Sequence, residues 1–364
     1  MAHEAQERYS DLVLAKLRAE LVLADGFVFN NDYEGDPKAG AVKIPVRDTE
    51  VAVSDYDKAN GLAPTNGSTS YTTLVIDKDK AVNEVVDGYD AASVPDKIVA
   101  ERLDSAGYSL AAQIDTDGAT VLIAGSTVTN IASLTKDNIY SAIVDIRTAM
   151  SKAKIPDDGK RYLLVTPDTF ALILKSPEFI SASDLGDTVK QNGILGKIAG
   201  FLVKEWNDST ANLAMIAGHP KFATRVHEWQ TPVKVQDLAQ SGQFIGACAV
   251  QGRRIYGHKV LRQAAIRSVF APGALTVSLA ASDAGKTIVT VTAGNTGTTY
   301  AYKLNPASRA TFDETSTAYG GTSLTSGTTK IAVSEGDVIE IVNLSSSKVK
   351  AVAYVTVTAA DIGS

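Results

Sequence analysis

The stretch from Asp137 to Trp206 constrains the fold most, because its apolar residues change period within a short span. In DNIYSAIVDIRTAM, Ile139, Ile143, Ile146 and Met150 fall at steps of four, three and four. That spacing sets them on one face of a helix, which Pro156 and Gly159 stop. RYLLV then reads as a short apolar run fit for a buried strand. Thr166 is placed to cap a second helix, and Pro167 suits its first position, where no amide hydrogen is needed. Phe170 and Leu174 are expected on its buried face, and Pro177 ends it. Helix, buried strand, helix makes an α/β unit with a core of its own. Nothing in it announces chemistry.

A chain of 364 residues is long enough for two or three domains. With 45% hydrophobic and 21% charged residues it has ordinary globular composition. A formal charge of -6 and a pI near 5.4 argue against a protein that grips nucleic acid through its phosphates, which needs a basic face, and no sequence-specific nucleic-acid binding is expected. The single cysteine, Cys248, rules out an internal disulfide framework. It lies in FIGACAV, which reads as an apolar strand, so a small buried hydrophobe is expected there. No apolar run approaches the roughly 18 residues of a membrane span, so no membrane partner is expected. The start, MAHEAQERYSDL, mixes charges where a signal peptide has a basic end and an apolar core, which implies cytoplasmic synthesis without export.

Residues 4 to 24 read as an amphipathic helix, with Tyr9, Val13, Leu17 and Leu21 at steps of four. No second helix follows to cover that face, so it is expected to dock on a distant part of the fold or on another subunit. AVKIPV (41 to 46) and YTTLVID (71 to 77) look like strands, and the polar, turn-rich segment between them makes a protruding β-loop. Loops of that length without their own core usually mean disorder or a binding role. Ser93 is expected to open a long helix with Val99, Leu103, Ala106, Leu110 and Ile114 as its buried stripe and Asp117-Gly118 as its stop. A short strand from Val121 to Ala124 follows, and Thr135 is placed to cap the helix of the central stretch. After Trp206 come LAMIAG, ATRVHEW, KVQDL, FIGACAV, GRRIYGHKVL and AAIRSVF, several short strands that suggest a closing sheet.

At Ala271-Pro272-Gly273 the composition breaks. From 272 to 364 Ser and Thr become frequent and charges thin to six basic and seven acidic residues. ALTVSLAA, KTIVTVTA, TTYAYKL, KIAVS, DVIEIVNL and KVKAVAYVTVTA supply the strands of an immunoglobulin-like β-sandwich. The Cys…Trp…Cys hallmark is absent, so the assignment rests on pattern.

The candidates for chemistry are weak. Gly196-Lys197 suggests a phosphate loop, but Gly193 is too close and Ile198 stands where a Ser or Thr should hold Mg²⁺. A glycine turn is the better reading. Asp115, Asp117 and Gly118 hint at a calcium loop, but its twelfth position is Ser126 rather than a bidentate Glu. His219, His227, Cys248 and His258 lack the paired spacing of a zinc site. No Gly-x-Ser-x-Gly elbow is present. Asn66, Asn207 and Asn343 begin glycosylation triplets, which mean little without a secretory signal. No catalytic, cofactor-binding or metal-binding residue is assigned, no cofactor is expected, and an enzyme is not indicated.

An N-terminal docking helix, a long β-loop, a long helix, an α/β core and a closing sheet follow one another in this chain. That order resembles the major capsid proteins of tailed bacteriophages, which have the Hong Kong 97 (HK97) fold. FVFNNDYEGDPKAGAVKIPV is similar to the passage from N-terminal arm to extended loop in that family. YTTLVIDKDKAVNEVVDGYDAASVPDKIVAERLDSAGYSLAAQID resembles the loop return and spine helix, and IPDDGKRYLLVTPDTFALIL the central domain. The likeness covers about residues 5 to 270. It implies an α+β fold: N-arm 1–38, extended loop 39–80, peripheral and axial domains 81–271 with the axial part at roughly 120 to 240, and an added all-β sandwich 272–364. It further implies a structural protein of the virion, made in the host cytoplasm, whose main partner is itself in hexamers and pentamers around phage DNA. Scaffolding, portal or decoration proteins are further possible partners. The competing expectation is a surface adhesin or decoration protein binding host carbohydrate through the sandwich.

Overall fold

The structure is a computed structural model. It describes residues 18, 20–23, 26–33, 40–46, 50–51, 53–62, 69–93, 97–177, 196–239, 243–293 and 299–363. The expected N-terminal helix lies almost wholly outside the described residues; residues 20–23, at its end, have no helical backbone.

The first elements are β1 (Ala41–Val46), β2 (Ser70–Val75), β3 (Lys78–Val86), α1 (Gly88–Ser93) and α2 (Ile98–Gly125). Next come β4 (Thr127–Asn130), α3 (Ile139–Lys152), β5 (Tyr162–Val165), α4 (Pro167–Leu174), β6 (Lys197–Ile198), β7 (Phe201–Glu205) and β8 (Leu213–Gly218). They are followed by β9 (Ala223–Asp237), β10 (Cys248–Val260) and β11 (Arg267–Phe270). The last part holds β12 (Gly273–Ala274), β13 (Thr276–Ala281), β14 (Lys286–Ala293), β15 (Thr299–Leu304), α5 (Ser316–Tyr319), β16 (Thr322–Leu324), β17 (Lys330–Ala332), β18 (Val338–Ser345) and β19 (Lys348–Thr356).

Two compact units emerge, the first from residues 1–125 with 219–263 and the second from 126–218 with 264–364. In the first, α2 lies on a three-stranded antiparallel sheet in the order β3-β10-β9. The strands expected separately from ATRVHEW to GRRIYGHKVL merge into two long ones. Pro232 is tolerated because β9 is an edge strand, and the pairing skips a residue there, between Gln251↔Lys234 and Arg253↔Thr231.

Ser93 closes α1 instead of opening the long helix, and α2 itself runs past Asp117-Gly118 to Gly125. Val121 to Ala124 are its last turn, not a strand; the strand is β4. The reason is tertiary. A Cβ on Gly118 would sit 3.0 Å from the Phe29 ring and 3.3 Å from His258 Nε2, so the glycine serves close packing rather than a stop. Asp117 is engaged too, accepting from the Tyr256 hydroxyl at 2.8 Å and the Gln113 amide at 3.1 Å. The buried stripe of α2 is Ala106, Leu110, Ile114, Gly118 and Leu122, while Val99 and Leu103 are only partly covered. Val22, Leu23, Val28 and Phe29 are buried in the same unit. There Arg225 donates to the Leu23 carbonyl and to His258 Nε2, both at 2.9 Å.

The second unit contains a six-stranded mixed sheet, β4-β11-β8-β5-β7-β6. All four residues of β5 are buried, as the apolar run predicts. On α3 the stripe Ile139, Ile143, Ile146 and Met150 is buried. Its cap is Asn138, whose side chain accepts from the Thr135 amide at 2.7 Å, instead of Thr135 itself. Thr166 and Pro167 begin α4 as expected, but Thr169 and Ile173 are its buried residues; Phe170 and Leu174 are intermediate.

Residues 273–356 of the same unit form two further sheets, β12-β19-β18-β15-β16 and β13-β14-β17. Val289, Ile331, Ile339 and Ile341 are among the residues buried in their shared core. A second cluster, including Tyr319, Val342 and Val349, lies on the other face of the five-stranded sheet. These sheets join the α/β sheet through Phe270 stacked on Phe312 at 5.6 Å and through Asn212 donating to the Lys350 carbonyl at 2.8 Å.

Candidate assembly surface

The residues weighed for chemistry are scattered and occupied. Lys197 and Ile198 pair with β7 across a two-residue turn in which Ala199 (φ 45°) and Gly200 (φ 85°) are both left-handed. That is a hairpin of the I′ kind, with no phosphate cradle. Asp115 and Asp117 sit on a helix, where Asp115 accepts from the Leu23 amide at 3.2 Å. His219 Nδ1 caps a short turn by accepting from the Lys221 amide at 3.2 Å. His258 takes its bond from Arg225 near one end of β10, and Cys248 begins the other. Cys248 is partly exposed, contrary to expectation, because β10 starts only there and Phe244 and Ile245 precede it in an exposed turn. Asn343 is buried in β18, which closes it to glycosylation. Among the described residues no group of three metal-ligating side chains forms, and no helix is long and apolar enough to cross a membrane.

What stands out instead is exposed apolar surface. β1 and β2 pair over their whole length, from Ala41↔Val75 to Val46↔Ser70, in a two-stranded ribbon. Ile44 and Leu74 anchor its base against Val226. The connection beyond Val46 carries Val51 at 84% and Val53 at 98% exposure, with Tyr56 and Leu62 also exposed, and Tyr71 is exposed on β2. Within it, Asp57 accepts from the Ala59 amide at 2.8 Å and the Asn60 side chain at 2.6 Å. Those bonds hold its carboxyl below the usual range and stabilise one turn of an otherwise irregular segment. A ribbon of two strands with exposed valines has little to hold it in water. Its apolar side chains call for cover from elsewhere.

A second exposed set lies at the end of the β3-β10-β9 sheet: Tyr89, Val235 and, at 88%, Ile245. The face of that sheet turned from α2 is polar. Arg253 grips Asp79 with both Nε and a terminal nitrogen, lowering the carboxyl's pKa, and lies 5.6 Å above the Trp229 ring. Sequence reasoning found the loop from its length and turn residues. It missed the Tyr89–Ile245 end, because Phe244-Ile245 reads as the start of a buried strand.

A family model described as phage capsid protein matches residues 89–269. The chain belongs to the phage capsid proteins. A solved structure from Mycobacterium phage Che8 aligns with a TM-score of 0.61 and 23% identity, covering 73% of this chain and 96% of that one. The capsid of cyanophage P-SCSP1u gives 0.62 at 14% identity, covering 73% and 92%. The capsid of Myoviridae phage XM1 gives 0.51 at 15%, covering 73% and 96%. At these identities the likeness is one of fold. No curated protein sequence matches. This capsid protein is thus a structural component of the virion shell with a mixed α+β fold, and nothing in the comparisons favours a carbohydrate-binding adhesin.

Proposed function

We propose that the protein is the major subunit of an icosahedral head, built as hexamers and pentamers of itself around phage DNA. The reading takes the fold as HK97-like: residues 1–38 as N-arm, 39–80 as an extended loop laid on a neighbour, 81–271 as peripheral and axial domains, and 272–364 as an added immunoglobulin-like module. The observation that carries it is the β1–β2 ribbon, whose connection displays Val51 and Val53 to solvent in a capsid-fold subunit. Such a subunit completes its apolar surface with copies of itself, and many modest contacts multiplied around a shell give stability. The acidic balance supports a shell that does not adhere to packaged DNA. On this reading scaffolding, portal or decoration proteins are partners, and no catalytic step is required of the chain.

The test is to express the full chain, with and without a scaffolding partner, and size it by light scattering and electron microscopy across salt. Shells or capsomers are expected. A monomer under every condition overturns the proposal.

A further inference from the structure

We propose that the cleft between α3 and β4, an edge strand of the six-stranded sheet, binds a small apolar monocarboxylate. The site goes beyond the shell reading and does not rest on it. It lies wholly within the second unit and encloses about 420 Å³, inside the roughly 300–1,000 Å³ range of small-molecule sites. Ile131 and Leu134, just after β4, supply apolar walls together with Ala142, Ile146 and Ala149 of α3. The three α3 residues stand at steps of four and three, which sets them on one side of the helix. Apart from Ile146, the walls are only partly covered by the subunit itself.

One cation interrupts this lining. Arg267 enters from β11, and its Nε is buried with no acceptor among the described residues. The guanidinium's one hydrogen bond there runs from Nη1 to Thr129 Oγ1 at 3.5 Å, the outer limit of such a bond. A guanidinium with a buried, unfilled donor calls for an acceptor, and its planar fork matches the two oxygens of a carboxylate. Charge sets how many negatives the ligand carries. Asp145 also lines the cleft, from an exposed position on α3, and no ion pair joins it to Arg267. One guanidinium set against one rim carboxylate suits a single negative charge and disfavours a phosphate dianion. The carboxylate then takes the guanidinium while an apolar tail covers the walls. A ligand seated this way ties α3 to β4 and β11, and by binding the folded state alone it stabilises that sheet.

The test titrates octanoate into the full-length chain by calorimetry, with octanol and octylammonium as neutral and cationic molecules of the same tail. Octanoate is expected to bind at one site, and octanol at least about tenfold more weakly for want of a charge-assisted contact. Octylammonium should not bind. Arg267→Met keeps an unbranched apolar side chain in place of the cation, and should weaken octanoate about tenfold while leaving octanol unchanged. No binding of octanoate by the wild type, or equal affinity for octanoate and octanol, overturns the proposal without any variant. An R267M chain that folds by circular dichroism and binds octanoate as tightly as the wild type also overturns it. Should R267M fail to fold, the wild-type series decides alone.

Discussion

Tyr162 and Gly218 face each other across β5 and β8, and the phenol ring lies where a side chain at 218 would be. A Cβ there would come within 2.3 Å of the Tyr162 oxygen. Gly218→Ala must push aside a fully buried ring, and should cost about 1–3 kcal/mol, seen as a lower urea midpoint at unchanged slope. Ala199 shows the opposite case. It holds a φ of 45° in the β6–β7 turn, where Gly or Asn fits better, so Ala199→Gly should gain about 0.5–1 kcal/mol and raise the melting temperature. Glu340 makes a pH argument. It is 0% exposed, and its Oε1 accepts from the Ala310 amide at 2.8 Å and the Tyr354 hydroxyl at 2.7 Å. Burial, then the charge of Glu340, raises the pKa of Tyr319; burial, then the hydrogen bond to Glu340, raises that of Tyr354. Raised folded-state values mean the stabilisation is whole below about pH 10, the unfolded tyrosine value, and fades as pH climbs beyond it. Urea titrations at pH 8 and pH 11 should differ by up to about 1.4 kcal/mol for each phenol that stays protonated, less for the partly exposed Tyr354. Equal stability at both values would remove these phenols from the account.

At the scale of elements, local patterns and distant contacts divide the work. The stripe of α3, the Ala106, Leu110 and Ile114 part of the α2 stripe and the apolar run of β5 are visible in spacing alone. So are the strand sets after residue 272, where every expected strand has a counterpart from β13 to β19. The end of α2 is not, because an Asp-Gly pair that stops a helix in isolation here packs against Phe29, His258 and Tyr256. Likewise the merging of β9 and β10 depends on long-range pairing past Pro232, which local propensity reads as a break. The last part of the chain carries its own core, with Val289, Ile339 and Ile341 at 0% exposure. Residues 272–364 expressed alone should therefore fold cooperatively, by circular dichroism and a single urea transition. An unfolded or aggregated fragment would mean that Phe270 and Asn212 on the α/β sheet are needed to complete it.

At the scale of the whole molecule, the loop between β1 and β2 separates folding from assembly. Its exposed valines contribute nothing to the subunit's own core, so deleting residues 50–68 should leave the urea midpoint of the monomer unchanged while shells fail to form or dissociate in dilution by light scattering. A monomer destabilised by the deletion would place the loop within its own subunit's fold.

From the sequence alone came the kinds of element and their order, because periodicity and turn chemistry act over a few residues and leave their mark locally. Tertiary structure alone decided where α2 ends, which short strands fuse, which glycines serve packing and which valines lack cover. Each of those outcomes is set by contact between residues far apart in the chain, and burial is a property of the folded surface rather than of any segment within it.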